Sequence, residues 1–461
     1  MEKVSRLERF LSLFTTVRAG EGRSAVQLCV MSFTIMLAYY LLKVIREPMI
    51  LAEGSAELKA YATAAQAGLL MFIVPLFTRA YQRASHRREK HHLFASHLLF
   101  FIPNLVLFAV AYQLGWSVGL LFYIWLGIFS VMILALFWAF AADLFNLKTG
   151  QRLFPLLAAA LALGALLGAG LASTIDEAVG HGGVMLMAAL LLCLPWWVCR
   201  SVEPAVPDGS RSMIASVPVD GPYPLREGFH IVWRNRYLAL IALFVLLLNL
   251  VNTNGEYILA SFVTERAADM SDADAYITRF YSGYLFITTT LGFLIQLFLV
   301  SRIFSAIGIT GALFILPLVL VFSYGVLWAL PLLAVARGAM VLENSLSYSL
   351  QTTTRHALFL PVTREEKYVA KNTIDTFFFR VGDVLSGGFI YLVAGLLGIG
   401  VLGFIQANIV FAALMLLAVW AISRHHRGVV RENLKNAPPV VSAPLEDLVI
   451  PAGEVTRWQL R

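Results

Sequence analysis

Apolar positions along this chain come in long unbroken blocks separated by short polar stretches. Runs of about 20 apolar residues, the length that crosses a bilayer core, stand near 25–45, 61–80, 93–112, 118–142, 155–175 and 183–199. A second set stands near 237–260, 281–300, 306–323, 326–350, 374–396 and 401–423. The pattern predicts twelve transmembrane helices, six on each side of a central connection. That connection, SVEPAVPDGSRSMIASVPVDGPYPLREG (201–228), is rich in Pro, Ser and Gly and shows no helical period, so it reads as a flexible linker.

Composition agrees with the blocks. The 461 residues are 59% hydrophobic and only 14% charged, far below the roughly 25% of soluble domains. Cytoplasmic loops of membrane proteins collect Lys and Arg. With residues 1–24 placed inside and the sides alternating, most of the 35 Lys and Arg fall on one side: the N-terminal segment, RAYQRASHRREK (79–90), Lys148, Arg152, the linker, Arg302, Arg355–Lys371 and the tail. The other side receives only Arg46, Lys59, Arg266 and Arg279, so both termini are expected to be cytoplasmic, in a bacterial inner membrane or its equivalent. The formal charge of +7 is then topology and contact with anionic lipid, and no nucleic-acid partner is expected.

The expected organisation is an all-α, major-facilitator-like pair of six-helix bundles, at 25–200 and 237–424. An amphipathic cytoplasmic segment over 1–24 precedes them, a linker over 201–236 joins them, and a cytoplasmic tail over 425–461 follows. Weak internal similarity supports the pairing. REPMILA at the end of the first span is read against NGEYILA of the seventh as superposing Glu47 on Glu256, and GALLGAG (164–170) matches GDVLSGG (382–388) in the fifth and eleventh. Cys29, Cys193 and Cys199 lack a paired spacing, so packing is their expected role. There is no GxxxxGK[ST] loop, HExxH or GxSxG, and no sizeable soluble domain for an ATPase. An enzyme is not expected, nor a cofactor, and secondary transport remains.

Charges inside apolar spans are costly and mark cavities or partners. The first span ends with Lys43, Arg46 and Glu47; the tenth carries Arg337, Glu343 and Asn344; the eleventh carries Asp375, Arg380 and Asp383. Arg380 and Asp383 share a helix face, as a self-neutralising pair or as part of a substrate site. In the seventh, Asn249, Asn252, Asn254 and Glu256 surround Gly255, which suggests a locally unwound helix lining a cavity. Asp143 near Lys148 and Arg152 reads as end-capping.

Four segments carry a resemblance: KVIREPMIL, FWAFAADLFNLKTGQRLFPLL, LNLVNTNGEYIL, and the stretch from YSLQTTTRHALFLP to NTIDTFFFRVGD. Together they resemble the ATP/ADP translocase family, nucleotide transporters of plastids and intracellular bacteria related to the major facilitator fold. The resemblance implies a substrate site at Lys43, Arg46 and Glu47, with arginine where the family has lysine. It also marks departures. FYIWLGIFSVMILAL in the fourth span lacks the family's glutamate, Asn252 stands near the family's acid with Glu256 four residues on, and Asp383 stands near the family's lysine. The function expected is exchange of a nucleotide, such as ATP and ADP, or of another small anionic phosphorylated solute, by a monomer in lipid. Proton-coupled transport through Glu256, Glu343 and Asp383 is the competing mechanism, and a transporter-like module without transport is the other alternative.

Overall fold

The computed structural model describes residues 21–83, 87–145, 147–202, 225–359, 361–362, 369–371 and 373–436. The amphipathic segment, most of the linker and most of the tail lie outside the described residues. All regular elements among those described are helices: α1 (Gly22–Glu53), α2 (Ala56–Arg83), α3 (Arg87–Gln113), α4 (Gly119–Leu144), α5 (Leu147–Val198), α6 (Leu225–Arg234) and α7 (Arg236–Ala267). They continue with α8 (Ala273–Leu294), α9 (Val300–Ala329), α10 (Leu333–Leu346), α11 (Thr352–Leu358), α12 (Phe379–Ile390) and α13 (Val401–Asn436). Wide π turns join α8 to α9, α10 to α11, and extend α12 at both ends.

Nine of these continuous helical stretches are long and apolar enough to cross a membrane, and two of the nine are folded double. A straight α5 of 52 residues would be about 78 Å long against a bilayer core of about 30 Å. Instead Arg152 pairs with Glu21 at 2.8 Å and Ser201 Oγ accepts from Gln27 Nε2 at 3.2 Å, so both ends of α5 lie at the start of α1. The reversal is at Gly180, whose φ of 69° is the left-handed conformation that L side chains resist. The α8–α9 stretch reverses at Gly308 (φ 70°), which lets Tyr284 and Tyr324 reach the neighbouring residues Asn344 and Glu343. With the π-interrupted α10–α11 pair, the crossings number twelve among the described residues.

The matched glycine motifs now have a common physical basis. A Cβ on Gly164 of α5 would stand 2.2 Å from the Phe33 carbonyl of α1, and one on Gly382 of α12 would stand 2.9 Å from the Leu246 carbonyl of α7. In each half, the fifth span presses its backbone onto the first. The same motifs also meet the opposite half: Ser282 of α8 donates to the Ala169 carbonyl at 2.6 Å, and Gly387 faces Ala64 of α2.

Several expectations are corrected. The first span runs on past 45 to Glu53, so Arg46 and Glu47 lie within the helix. The second begins at Ala56, so Lys59 is a buried helical residue instead of a loop cation. The basic stretch near 79–90 is largely the ends of α2 and α3. The linker's last residues form the amphipathic α6, where Phe229 packs edge-on against Phe377 at 4.6 Å. The seventh span is not unwound. It is helical throughout because Gly255 serves close packing: a Cβ there would stand 2.3 Å from the Tyr324 hydroxyl.

Among the described residues, three contacts that join the halves lie at one end of the molecule, the end carrying Glu53 and Gly180. Arg279 meets Glu177 at 2.7 Å, Tyr257 Oη donates to Glu57 at 3.0 Å, and Tyr61 packs edge-on against Tyr391. At the opposite end the described ion pairs, Glu21–Arg152 and Arg355–Asp375, each stay within one half. Among the described residues, the halves are clamped by these contacts at the Glu53 end, and no ion pair joins them at the other.

Candidate functional site

A cavity lies between the halves beneath that clamp. Its first wall comes from α1, α2 and α4. Lys43, Arg46 and Glu47 are spaced so that one face of α1 delivers all three. The Arg46 guanidinium donates to Glu47 Oε1 at 2.6 Å and lies 4.1 Å from the Tyr123 ring centroid, stacked where a cation gains most from an aromatic face. Lys59 Nζ sits 2.8 Å from Glu47 Oε2 and 3.3 Å from Glu256 Oε2, and donates to Tyr281 Oη at 3.3 Å. Lys43 Nζ lies 5.2 Å from the Tyr40 ring centroid, with no carboxylate within ion-pair distance among the described residues.

The second wall comes from α7, α8, α10 and α12. Asn344 Nδ2 donates to Glu256 Oε1 at 3.2 Å and to Tyr284 Oη at 2.6 Å, and Asn252 Nδ2 donates to Asn344 Oδ1 at 2.8 Å. Asp383 accepts from Thr253 Oγ1 at 2.7 Å. The Arg380–Asp383 separation of 3.8 Å makes their pairing loose, beside the closer hydrogen bond from Thr253.

Eight of the eleven sequence candidates line the cavity: Lys43, Arg46, Glu47, Asn252, Glu256, Asn344, Arg380 and Asp383. Three do not. Asn254 is turned away, donating to Asn408 Oδ1 and accepting from Ser386 Oγ, because it sits on the α7 face that packs on α12 and α13. Arg337 lies near the start of α10, against Phe280 at 5.3 Å. Glu343 is 1% exposed and stands behind the wall. The Arg152 guanidinium donates to Glu21 at 3.1 and 2.8 Å, and the side chains of Asp143 and Lys148, the other members of the expected end-capping group, lie outside the described residues.

Lys59, Tyr123, Tyr281, Tyr284 and Tyr348 line the cavity and were not singled out from the sequence. Lys59 carried a signal, a lone cation at the start of an apolar run, but the charge rule assigns such a cation to a loop. Tyr123 occupies the stretch of the fourth span where the resemblance expects a glutamate, and it receives Arg46. With the two repeats aligned on their shared ILA, Glu47 pairs with Gly255 and Glu256 stands one residue later. Both carboxylates still converge on Lys59.

A cationic wall facing an amide and hydroxyl wall, between two bundles with a shared packing plan, is the geometry of a transporter of charged solutes. The family model described as TLC ATP/ADP transporter matches residues 110–427. The chain belongs to that family.

ADP,ATP carrier protein 1 of Chlamydia pneumoniae is 24% identical over 371 residues, covering 72% of this chain and 70% of that protein. Its counterpart in Chlamydia muridarum is 24% identical over 401 residues, covering 78% and 72%. Among solved structures, the nucleoside transporter NupG aligns with a TM-score of 0.62 at 14% identity, covering 87% of this chain and 98% of that one. A bacterial homologue of the human lysosomal transporter Spinster, in an inward-facing and unoccupied conformation, aligns with a TM-score of 0.58 at 12% identity, covering 90% and 99%. These two likenesses establish the major-facilitator fold of this integral membrane protein. As a member of the TLC family the chain is a transporter and not an enzyme.

Proposed function

We propose that the chain exchanges nucleotides, ATP and ADP or close phosphorylated relatives, across the membrane by alternating access, with the cavity between the halves as the binding site. The observation that carries this reading is the convergence of Lys43, Arg46 and Lys59 on one wall of that cavity. Three cations on rigid helices suit a polyphosphate, because arginine can grip phosphate through two N–H bonds and lysine adds point charge. The amides and hydroxyls of Asn252, Asn344, Tyr284 and Tyr348 suit the sugar and base. The substrate is thus expected to lie with phosphates toward α1 and α2.

The two bundles, taken as 25–200 and 237–424 around the linker, rock about this site. With both termini cytoplasmic, as the Lys and Arg distribution suggests, the clamped end faces outward and the present conformation releases substrate inward. Opening the outer end separates Lys59 from Glu256 and leaves it with Glu47 of its own half. Incoming phosphate then replaces Glu256 as the second partner of Lys59. The protein is proposed to work as a monomer in lipid of a bacterial inner membrane or its equivalent.

The test is uptake of labelled ATP into proteoliposomes preloaded with ADP. Uptake above that of protein-free vesicles, and faster with internal ADP than without it, is the expected result. Uptake no faster than in protein-free vesicles, with or without internal nucleotide, sinks the reading.

A further inference from the structure

The group left over from this account is Glu343. It stands one layer behind the cavity, its Oε1 accepting from Asn252 Nδ2 at 3.2 Å and its Oε2 lying 2.8 Å from Tyr324 Oη. Tyr324 Oη is also 3.6 Å from the Met340 sulfur. One phenolic hydrogen cannot serve both acceptors. With a proton on Glu343 Oε2, the acid donates to Tyr324, Tyr324 donates to Met340, and each polar group is satisfied.

No Lys, Arg or His lies within ion-pair distance of Glu343 among the described residues. A carboxylate withdrawn from water with no cation is costly, and protonation is the ordinary relief. The groups around it bear this out: Tyr324 of α9, with Asn408 of α13 in reach of that tyrosine, Asn252 of α7, Asn344 beside it on α10, Tyr348 in the π turn that follows, and Tyr284 of α8 behind Asn344. The one charged neighbour is Glu256 of α7, which carries the same sign. A glutamine could fill the same place with no ionisation at all. What the carboxyl adds is an exchangeable proton.

Glu343 is also wired to the cavity. Asn252 Nδ2 donates to Glu343 Oε1 and to Asn344 Oδ1, and Asn344 Nδ2 donates to Glu256 Oε1, the carboxylate that shares Lys59. We infer that Glu343 is a proton-binding site coupled to substrate, so that the transporter carries a proton with its anion. The proton enters the carboxyl from cavity water on one side and returns to water on the other, and no other bond changes. When Glu343 is protonated, Lys59 is held by Glu256 with less total negative charge behind it and is freer for phosphate. When Glu343 loses its proton, a second negative charge two amides away pulls Lys59 back to Glu256 and expels the anion. Proton and anion thus bind with positive cooperativity, and each raises the other's affinity by the same factor.

The inference rests on the proposed nucleotide substrate only for its transport readout. In ADP-free proteoliposomes, acidifying the side that holds labelled ATP is expected to speed uptake several-fold in the wild type. E343Q, which keeps both hydrogen bonds with a permanently neutral group, is expected to retain ATP/ADP exchange and lose the pH-gradient response. A wild-type rate indifferent to the gradient, or an E343Q rate still driven by it, overturns the inference while leaving exchange intact.

A second measurement needs no nucleotide. Infrared difference spectra of purified protein, taken from acid to alkaline pH, are expected to show a protonated-carboxyl band that is missing in E343Q and displaced in Y324F. Its absence from the wild type overturns the proton site. Its presence in a protein that moves no nucleotide overturns only the choice of substrate.

Discussion

The two walls of the cavity come from halves built on one packing plan, yet their chemistry differs. The wall from α1 and α2 carries Lys43, Arg46 and Lys59 against a single acid, Glu47. The facing wall carries Glu256 and Asp383 against a single cation, Arg380, and fills the rest with amides and hydroxyls. A repeated fold therefore does not imply a repeated site. The backbone symmetry lets the halves rock as equals, while the asymmetry of charge gives a polyphosphate one preferred orientation.

The largest effect is expected at Arg46. Truncating one member of a buried charged pair costs roughly 3–5 kcal/mol, and each 1.36 kcal/mol is tenfold in rate. R46A should therefore lower ATP uptake by about 100-fold or more in the proteoliposome assay. R46K should recover part of it, because charge returns without the fork that reaches Glu47 while stacking on Tyr123. Wild-type uptake by R46A would mean that the cationic wall is not the anion site.

Next comes Lys59, the cation shared between the walls. K59Q removes the Glu47–Lys59–Glu256 bridge and is expected to reduce uptake by about tenfold to 100-fold, a loss of about 1.4–2.7 kcal/mol of transition-state stabilisation. It should also loosen the clamp, so that a cysteine at Thr63 reacts faster with a membrane-impermeant thiol reagent from the Glu53 side, measured against the background of the three native cysteines. Unchanged labelling would separate Lys59's role in binding from any role in closure.

Lys43 tests the same wall more gently, because its loss strands no acid. K43Q is expected to raise the KM for ATP by about tenfold with little change in kcat, the mark of binding energy shared equally by ground and transition states. A matched fall in kcat at unchanged KM would move Lys43 out of the binding wall and into the conformational step.

The smallest effects compare the glycine motifs. G164V drives a side chain into the Phe33 carbonyl and should cost about 1–3 kcal/mol by overpacking, seen as a lower melting temperature in detergent. G388A, with nothing within 4 Å of the added Cβ, should change it by no more than about 0.5 kcal/mol. Equal loss at both positions would show that the glycines serve helix bending and not close approach.

Much of this was legible along the chain because a bilayer imposes its own grammar. An apolar block of about 20 residues has few fates, so the twelve crossings could be read from the pattern alone, with the reversal at Gly180 falling between two runs and that at Gly308 just inside the ninth. The charges buried in those blocks were also legible as a set, since each needs a partner or a cavity. Individual assignments were less secure. Lys59 looked like a loop cation because it falls between the first two apolar runs; its partners, Glu47 and Glu256, are 12 and 197 residues away. Arg337 and Asn254 looked like site residues because they are polar in apolar surroundings. Which side of a helix faces the cavity depends on neighbours that local spacing does not reveal.

By itself, the sequence determined the membrane class, the two halves, the crossings and the stock of buried charge, since these follow from hydropathy, from helix length and from the cost of a lone ion in lipid. Only the tertiary structure decided that Lys59 bridges two acids in opposite halves, that Gly255 admits a tyrosine instead of unwinding α7, and that Glu343 stands behind the wall in reach of Tyr324 and Met340. Those outcomes depend on contacts between helices far apart along the chain, where a rotation of one residue's worth of helix, about 100°, turns a cavity wall into a packing face.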